Sequence, residues 1–200
     1  MVGSRRGVRV AGRSVGTAPT RQRLVDVAVE LFTRHSVAGT SLQMISDELG
    51  LTKSAIYHHF RTREELLSAV IEPLMAEVTE LVAAAESRRG VRARADHFVV
   101  GFATLAAANR DLVPLLSGDP GVLELLRLRS EWAAVVRRQM SLLAEVEPGL
   151  GGQVKAVMVM SGLASAVSVD YGDVDEGALR EQLIAAGRRM LGLRSTHDGS

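Results

Sequence analysis

Between Thr40 and Phe60 the chain reads TSLQMISDELGLTKSAIYHHF, and its hydrogen-bond donors gather toward the end of that stretch. Lys53, Ser54, Tyr57 and His58 are donors, while Ile56 and Phe60 are the apolar residues left to face inward. A short helix that buries one narrow edge and offers donors on the rest matches what the major groove of duplex DNA accepts. Lys53 can pair with guanine acceptors or a phosphate, and His58 can donate to a base edge. Tyr57 offers a hydroxyl to a phosphate oxygen and a ring to a thymine methyl. Thr40 and Ser41, at the start of the preceding helix, offer hydroxyls and amides to phosphate. Any one of these residues alone reads as ordinary surface polarity. Together, at this spacing across one turn, they point to duplex DNA.

Other chemistries find little support. The chain has no cysteine, which excludes a disulfide framework and thiolate metal sites and agrees with a reducing, cytoplasmic setting. His35, His58, His59, His97 and His197 have no metal-ligand spacing beyond the adjacent pair. Neighbouring residues on a helix point about 100° apart, so His58 and His59 are poor co-ligands. There is no G-x-S-x-G elbow, no Walker loop, no G-x-G-x-x-G after a strand and no H-E-x-x-H. No catalytic residue, metal or cofactor is expected. A helical-bundle enzyme or carrier stays as the reading from another class.

The elements that must hold the donors can be read from capping and periodicity. Thr40 followed by Gln43 forms a capping box, and Leu42, Ile45 and Leu49 recur at helical spacing. Gly50 can take the left-handed conformation that stops a helix, Leu51 plugs the turn, and Thr52 caps the next helix. Upstream, from Thr20, Leu24, Val27, Ala28, Leu31 and Phe32 form an apolar stripe that packs on Leu42, Ile45 and Ile56. Downstream, Thr62 and Glu65 form a second capping box, opening a long helix with Pro73 as a potential kink.

Gly39-Thr40-Ser41, Ile45, Leu49-Gly50-Leu51-Thr52 and Ala55-Ile56-Tyr57-His58-His59-Phe60, with Arg63 and Leu66 beyond, resemble the DNA-binding domain of the TetR family of transcriptional repressors. The resemblance covers residues 18–78. It implies that Lys53, Ser54, Ala55, Tyr57 and His58 face DNA, with His59 and Arg63 near phosphates; Thr40, Ser41 and Thr52 complete the expected DNA-binding set. Two departures bear on the base sequence read: Ser54 stands where the family often has Gly, and Ala55 where it often has Thr. Ala55 cannot donate, so reading there is apolar.

Residues 1–63 carry ten Lys and Arg against four Asp and Glu, and residues 64–200 carry 14 against 19. A basic first third beside an acidic remainder points to a polyanion at one end. Residues 1–17 are expected to form a disordered basic tail, with DNA contact as the minority reading, and residues 195–200 to fray. Residues 79–194 should form a second helical unit: Val91 to Asn109, one helix from Asp119-Pro120 to Leu143, an apolar helix from Val154 to Tyr171, and a last one capped by Asp173 with Glu176. The fold expected is all-α. No secretory signal and no apolar run of membrane-span length is seen.

Val154 to Val169 is hydrophobic nearly all round, with small residues at Gly162, Ala164, Ser165 and Ala166, so several of its faces should be buried. The resemblance implies that the last two helices form a homodimer interface. It also implies a small-molecule effector, for which an apolar cavity lined by Met75, Phe98, Phe102, Leu105, Leu116, Trp132, Met140 and Met158 is the expectation. The function expected is a ligand-responsive repressor, dimeric on a palindromic operator, with an activator or nucleoid-associated protein as the alternative.

Overall fold

The structure is a computed structural model that describes residues 20–193. Among these residues there are ten helices and no strand: α1 (Thr20–Gly39), α2 (Leu42–Glu48), α3 (Lys53–His59), α4 (Arg63–Glu86), α5 (Val91–Ala108), α6 (Val113–Gly118), α7 (Pro120–Leu128), α8 (Ser130–Ala144), α9 (Leu150–Val167) and α10 (Glu176–Met190). The fold is all-α. The expectations for residues 1–17 and 195–200 lie outside the described residues.

α1 packs on α2 and α4, and α2 packs on α3. Leu24, Ala28, Leu31 and Phe32 supply the inward face of α1, against the fully buried Ile45 and Ile56. Val27 is only partly buried, while Val25 and Val29 are buried, so the apolar stripe is broader than the strict helical spacing suggested. Near its end α1 is interrupted at Ser36, with φ 64° and ψ 167°, a region that side chains other than glycine rarely occupy.

α4 runs through Pro73, which is exposed, and through Val78 without a break. The boundary expected at residues 78 and 79 therefore falls inside a continuous helix. α4 packs on α5 and α8, α5 packs in turn on α9 and α10, and one apolar core extends from Leu24 to Leu193.

Several sequence expectations need correction. The helix expected from Pro120 to Leu143 is two helices, α7 and α8, because Arg129 takes an extended conformation, φ −82° and ψ 104°. No glycine or proline marks that break. α9 begins at Leu150, four residues before the expected start. Gly151 and Gly152 lie in its first turn rather than breaking it. A Cβ on Gly152 would collide with the carbonyl oxygens of Ala144 and Glu147, so glycine is what lets α9 start against the end of α8. The cap of α10 is Asp175, whose carboxylate accepts from the Ala178 amide at 3.2 Å, and not Asp173. α9 is also, by length and composition alone, apolar enough to cross a membrane, which corrects the view that no such run exists. It packs on α5, α6, α8 and α10, and Lys155 pairs with Glu147.

Candidate nucleic-acid interface

The α2–turn–α3 unit is built by its caps. Ser41 is the N-cap of α2, and its Oγ accepts from the Met44 amide at 3.1 Å. At the other end Gly50 has φ 64°, the Gly50 amide donates to the Asp47 carbonyl at 3.0 Å, and the Leu51 amide donates to the Ser46 carbonyl at 2.8 Å. That pair of bonds is a Schellman closure, and it turns the chain sharply into α3. Thr52 then caps α3, its Oγ1 accepting from the Ala55 amide at 3.3 Å.

α3 buries one edge and opens the rest. Ile56 and the following Phe60 are buried, while Lys53, Ser54, Tyr57 and His58 are exposed, and Ala55 and His59 are half-buried. The Lys53 ammonium lies 5.8 Å from the centroid of the Tyr57 ring, so charge and ring share one face. His58 and His59 meet edge to face at 5.3 Å. Ser41 and Thr52 are exposed; each uses its oxygen as a cap acceptor and keeps a hydroxyl proton to donate. The structure thus brings Lys53, Ser54, Ala55, Tyr57 and His58 onto one short helix, with Ser41 and Thr52 at the two neighbouring caps.

Two expected residues stand differently. Thr40 does not cap α2: it is 1% exposed, and its hydroxyl is turned inward toward the carbonyls of Leu31, at 3.2 Å, and Ser36, at 2.9 Å. The capping box read with Gln43 is therefore wrong, since Gln43 reaches Asp47 at 2.6 Å instead. Arg63 spends Nη1 on the carbonyls of Val37 and Ala38, at 3.1 and 3.0 Å. It ties the start of α4 to the end of α1, where the sequence had suggested a phosphate contact. The second capping box holds in altered form: Thr62 accepts from the Glu65 amide, but the Glu65 carboxylate reaches the Arg61 amide at 2.7 Å.

Sequence reasoning passed over two cations that the fold sets beside α3. Arg21 of α1 stacks over the Phe60 ring at 5.0 Å. Arg61 is exposed in the turn that leaves α3. No local pattern marks Arg21, whose place follows from how α1 crosses the end of α3.

The eight residues proposed to line an apolar cavity are spread between the core and the surface. Phe98 is fully buried and stacks on Phe102 at 5.7 Å, and Met75 and Trp132 are buried, as core residues are. Met158 is 54% exposed on the outer face of α9 and cannot line a cavity within the protomer. Leu105, Leu116 and Met140 are partly buried against the core. A cleft of about 620 Å³ has none of the eight in its walls and is lined instead by Glu86, Arg94, Arg137, Arg138, Ser141 and Glu145, among others. Arg138 grips Glu86 there with bonds of 2.9 and 2.5 Å, and Arg94 pairs with Glu145 at 2.9 Å.

Comparison with known proteins agrees with the geometry of the first four helices. The family profile for bacterial regulatory proteins of the tetR family matches residues 24–70. The chain is 40% identical over 62 residues to the HTH-type transcriptional regulator AcrR of Shigella flexneri, covering 31% of this chain and 29% of that one. It is 31% identical over 72 residues to the HTH-type transcriptional repressor KstR2 of Rhodococcus jostii, 34% of this chain and 35% of that one. The chain thus matches about a third of the length of these curated relatives. The likeness of fold runs further. The ketosteroid transcriptional regulator KstR2 of Mycobacterium tuberculosis superposes with a TM-score of 0.70 over 92% of this chain and 97% of that one, at 16% identity. A regulatory protein of the tetR family from Rhodococcus RHA1 gives 0.66 over 90% of this chain and all of that one, at 19% identity. The likeness to the tetR family of bacterial regulatory proteins is thus one of sequence over residues 24–70, and beyond them one of fold.

Proposed function

We propose that this chain is a transcriptional repressor that binds a palindromic duplex as a homodimer and is released by a small-molecule effector. The observation that carries the reading is the open face of α3, where Lys53, Ser54, Tyr57 and His58 stand clear on a helix anchored by Ile56. Seven residues suit entry into a major groove, which is wide enough for one α-helix. One such helix makes few base contacts, so a second copy is needed, and two-fold symmetry would set the pair about 34 Å apart on successive grooves.

The outer face of α9 supports the second copy. Leu150, Val154, Val157 and Met158 are exposed at helical spacing, from 46% to 74%. An apolar stripe of that kind on a water-facing helix is the mark of an interface. The relatives described above are regulators by name, and two are named as repressor or ketosteroid regulator, which favours repression with a small effector. Such a protein works where the genomic DNA is, in the cytoplasm.

The test is selection of duplexes from a random library by the purified chain, followed by footprinting. One short palindrome protected by a dimer is the expected result. Broad coverage without a shared sequence would favour a nucleoid-associated protein, and no bound duplex would end the reading.

A further inference from the structure

Asp119 lies at the joint between α6 and α7, far along the chain from the reading helix. It is 8% exposed. One carboxylate oxygen, Oδ1, caps α7 by accepting from the amides of Gly121 at 2.8 Å and Val122 at 3.3 Å. That duty needs one oxygen only. The other, Oδ2, accepts from the amide of Val37 at 2.8 Å, a buried bond across 82 residues.

Val37 follows Ser36, the strained residue of α1, and stands four residues before Ser41, the cap of α2. Its carbonyl is held from the opposite side by Arg63 at 3.1 Å and by the Thr40 amide at 3.4 Å. The short link into α2 is therefore clasped between α7 and the first residue of α4. Strain at a residue such as Ser36 persists only where the surroundings over-determine it, and such places tend to be switches.

We infer that Asp119 is a positioning residue for the reading unit. Through the Val37 amide it fixes the link that carries Ser41 and the start of α2, and so ties the placement of α2 and α3 to that of α6 and α7. A hydrogen bond of this kind weakens steeply once its geometry is lost, so a small movement of α7 would release the clasp. The Val37 amide would then be buried and unpaired, which is unfavourable, and the link would rearrange. The functional half of this inference rests on the DNA-binding reading; the structural half does not.

The variant Asp119→Ser separates the two duties of the carboxylate. Serine is a good N-cap for α7, but it has one oxygen and a shorter reach, so nothing meets the Val37 amide. Asp119→Asn is the second variant: it keeps an acceptor for α7 and turns an amide N–H toward that of Val37. In the full-length chain, hydrogen exchange over residues 36–48 should quicken about tenfold in both, with residues 120–128 unchanged. Affinity for the duplex selected by the parent chain should fall about tenfold, with helical content retained. Exchange over 36–48 within about twofold of the parent, or change confined to 120–128, overturns the clasp. Altered exchange with affinity within about twofold overturns the positioning role. A parent chain that binds no duplex defeats the proposed function, while the exchange measurement still decides the clasp.

Discussion

Arg188 of α10 and Asp96 of α5 meet through two parallel bonds, Nε to Oδ1 at 2.6 Å and Nη2 to Oδ2 at 2.9 Å. The side chains are 17% and 33% exposed, so the pair is largely shielded from water. The hydrogen bond to Asp96 holds the Arg188 guanidinium above its ordinary range, with burial acting the other way. A base raised on folding contributes stability below its unfolded value and loses it as pH rises through the folded one, so the Arg188 contribution is lost only in strong alkali. Asp96→Ala leaves a shielded guanidinium unpaired. The expected cost is about 2 kcal/mol, read as a lower urea midpoint at neutral pH. Arg188→Lys should recover less than half, because an ammonium cannot make the paired contact.

The Glu86–Arg138 pair behaves differently. The hydrogen bond from Arg138 holds the Glu86 carboxyl below its ordinary value of 4.5, with burial opposing. A carboxylate lowered on folding contributes stability above its unfolded value and loses it as pH falls through the folded one. The side chains are 38% and 42% exposed, so screening keeps the contribution small. Glu86→Gln should have a slightly lower urea midpoint than the parent at neutral pH, and the gap should close as pH drops below the ordinary value. A gap that persists in acid would contradict the assignment.

On the open face of α3, Lys53→Ala and Tyr57→Ala should weaken duplex binding without lowering thermal stability, since both side chains project into solvent. If Lys53 meets a phosphate, its removal should also reduce the slope of log affinity against log salt by about 0.9. If it reads guanine, the slope holds and discrimination at one base pair relaxes instead. Titration of both variants at several salt concentrations distinguishes these.

The sequence made the reading unit legible because its signals are local. Gly50, Thr52 and the inward pair Ile56 and Phe60 each act within one turn, and the structure has them as the spacing implied. What escaped depends on contacts made outside the turn that carries the residue or only once the chain is packed. Thr40 looks like a cap beside Ser41, and only the approach of Leu31 and Ser36 turns its hydroxyl inward. Arg63 looks like a free cation until the end of α1 arrives within reach. The break at Arg129 has a similar origin: its guanidinium reaches the Ser68 hydroxyl at 3.0 Å and stacks over Trp132 at 5.0 Å, and both contacts belong to the packed chain. The proposed cavity residues were the least legible, because large apolar side chains at helical spacing serve a core and a pocket equally well.

Ser36 offers a stability test at the end of α1. Its φ of 64° with ψ of 167° suits glycine, and its hydroxyl accepts only one exposed bond, from the Gly39 amide at 3.2 Å. Relief of the backbone strain should outweigh that bond and the added freedom of the unfolded chain. Ser36→Gly should therefore stabilise the protein by about 1 kcal/mol in urea unfolding. Ser36→Val should destabilise it, since a β-branched side chain tolerates this region least.

The outer face of α9 decides how many copies work together. Leu150, Val154 and Val157 follow one another at four and three residues, with Met158 beside them and Ser161 next on the stripe. None of them is needed to cover the protomer's own core, whose α9 members are Ala156, Val159, Leu163, Ala164 and Val167. A charge placed on the outer stripe should thus leave the protomer folded and act only on association. Val157→Glu is expected to yield a stable monomer in sedimentation equilibrium, with the parent a dimer. Its duplex affinity should fall steeply, because two linked reading helices gain from effective concentration in the millimolar range and one alone does not. A Val157→Glu chain that remains dimeric would move the interface elsewhere, with the exposed Leu123 and Leu128 of α7 as the next surface to change.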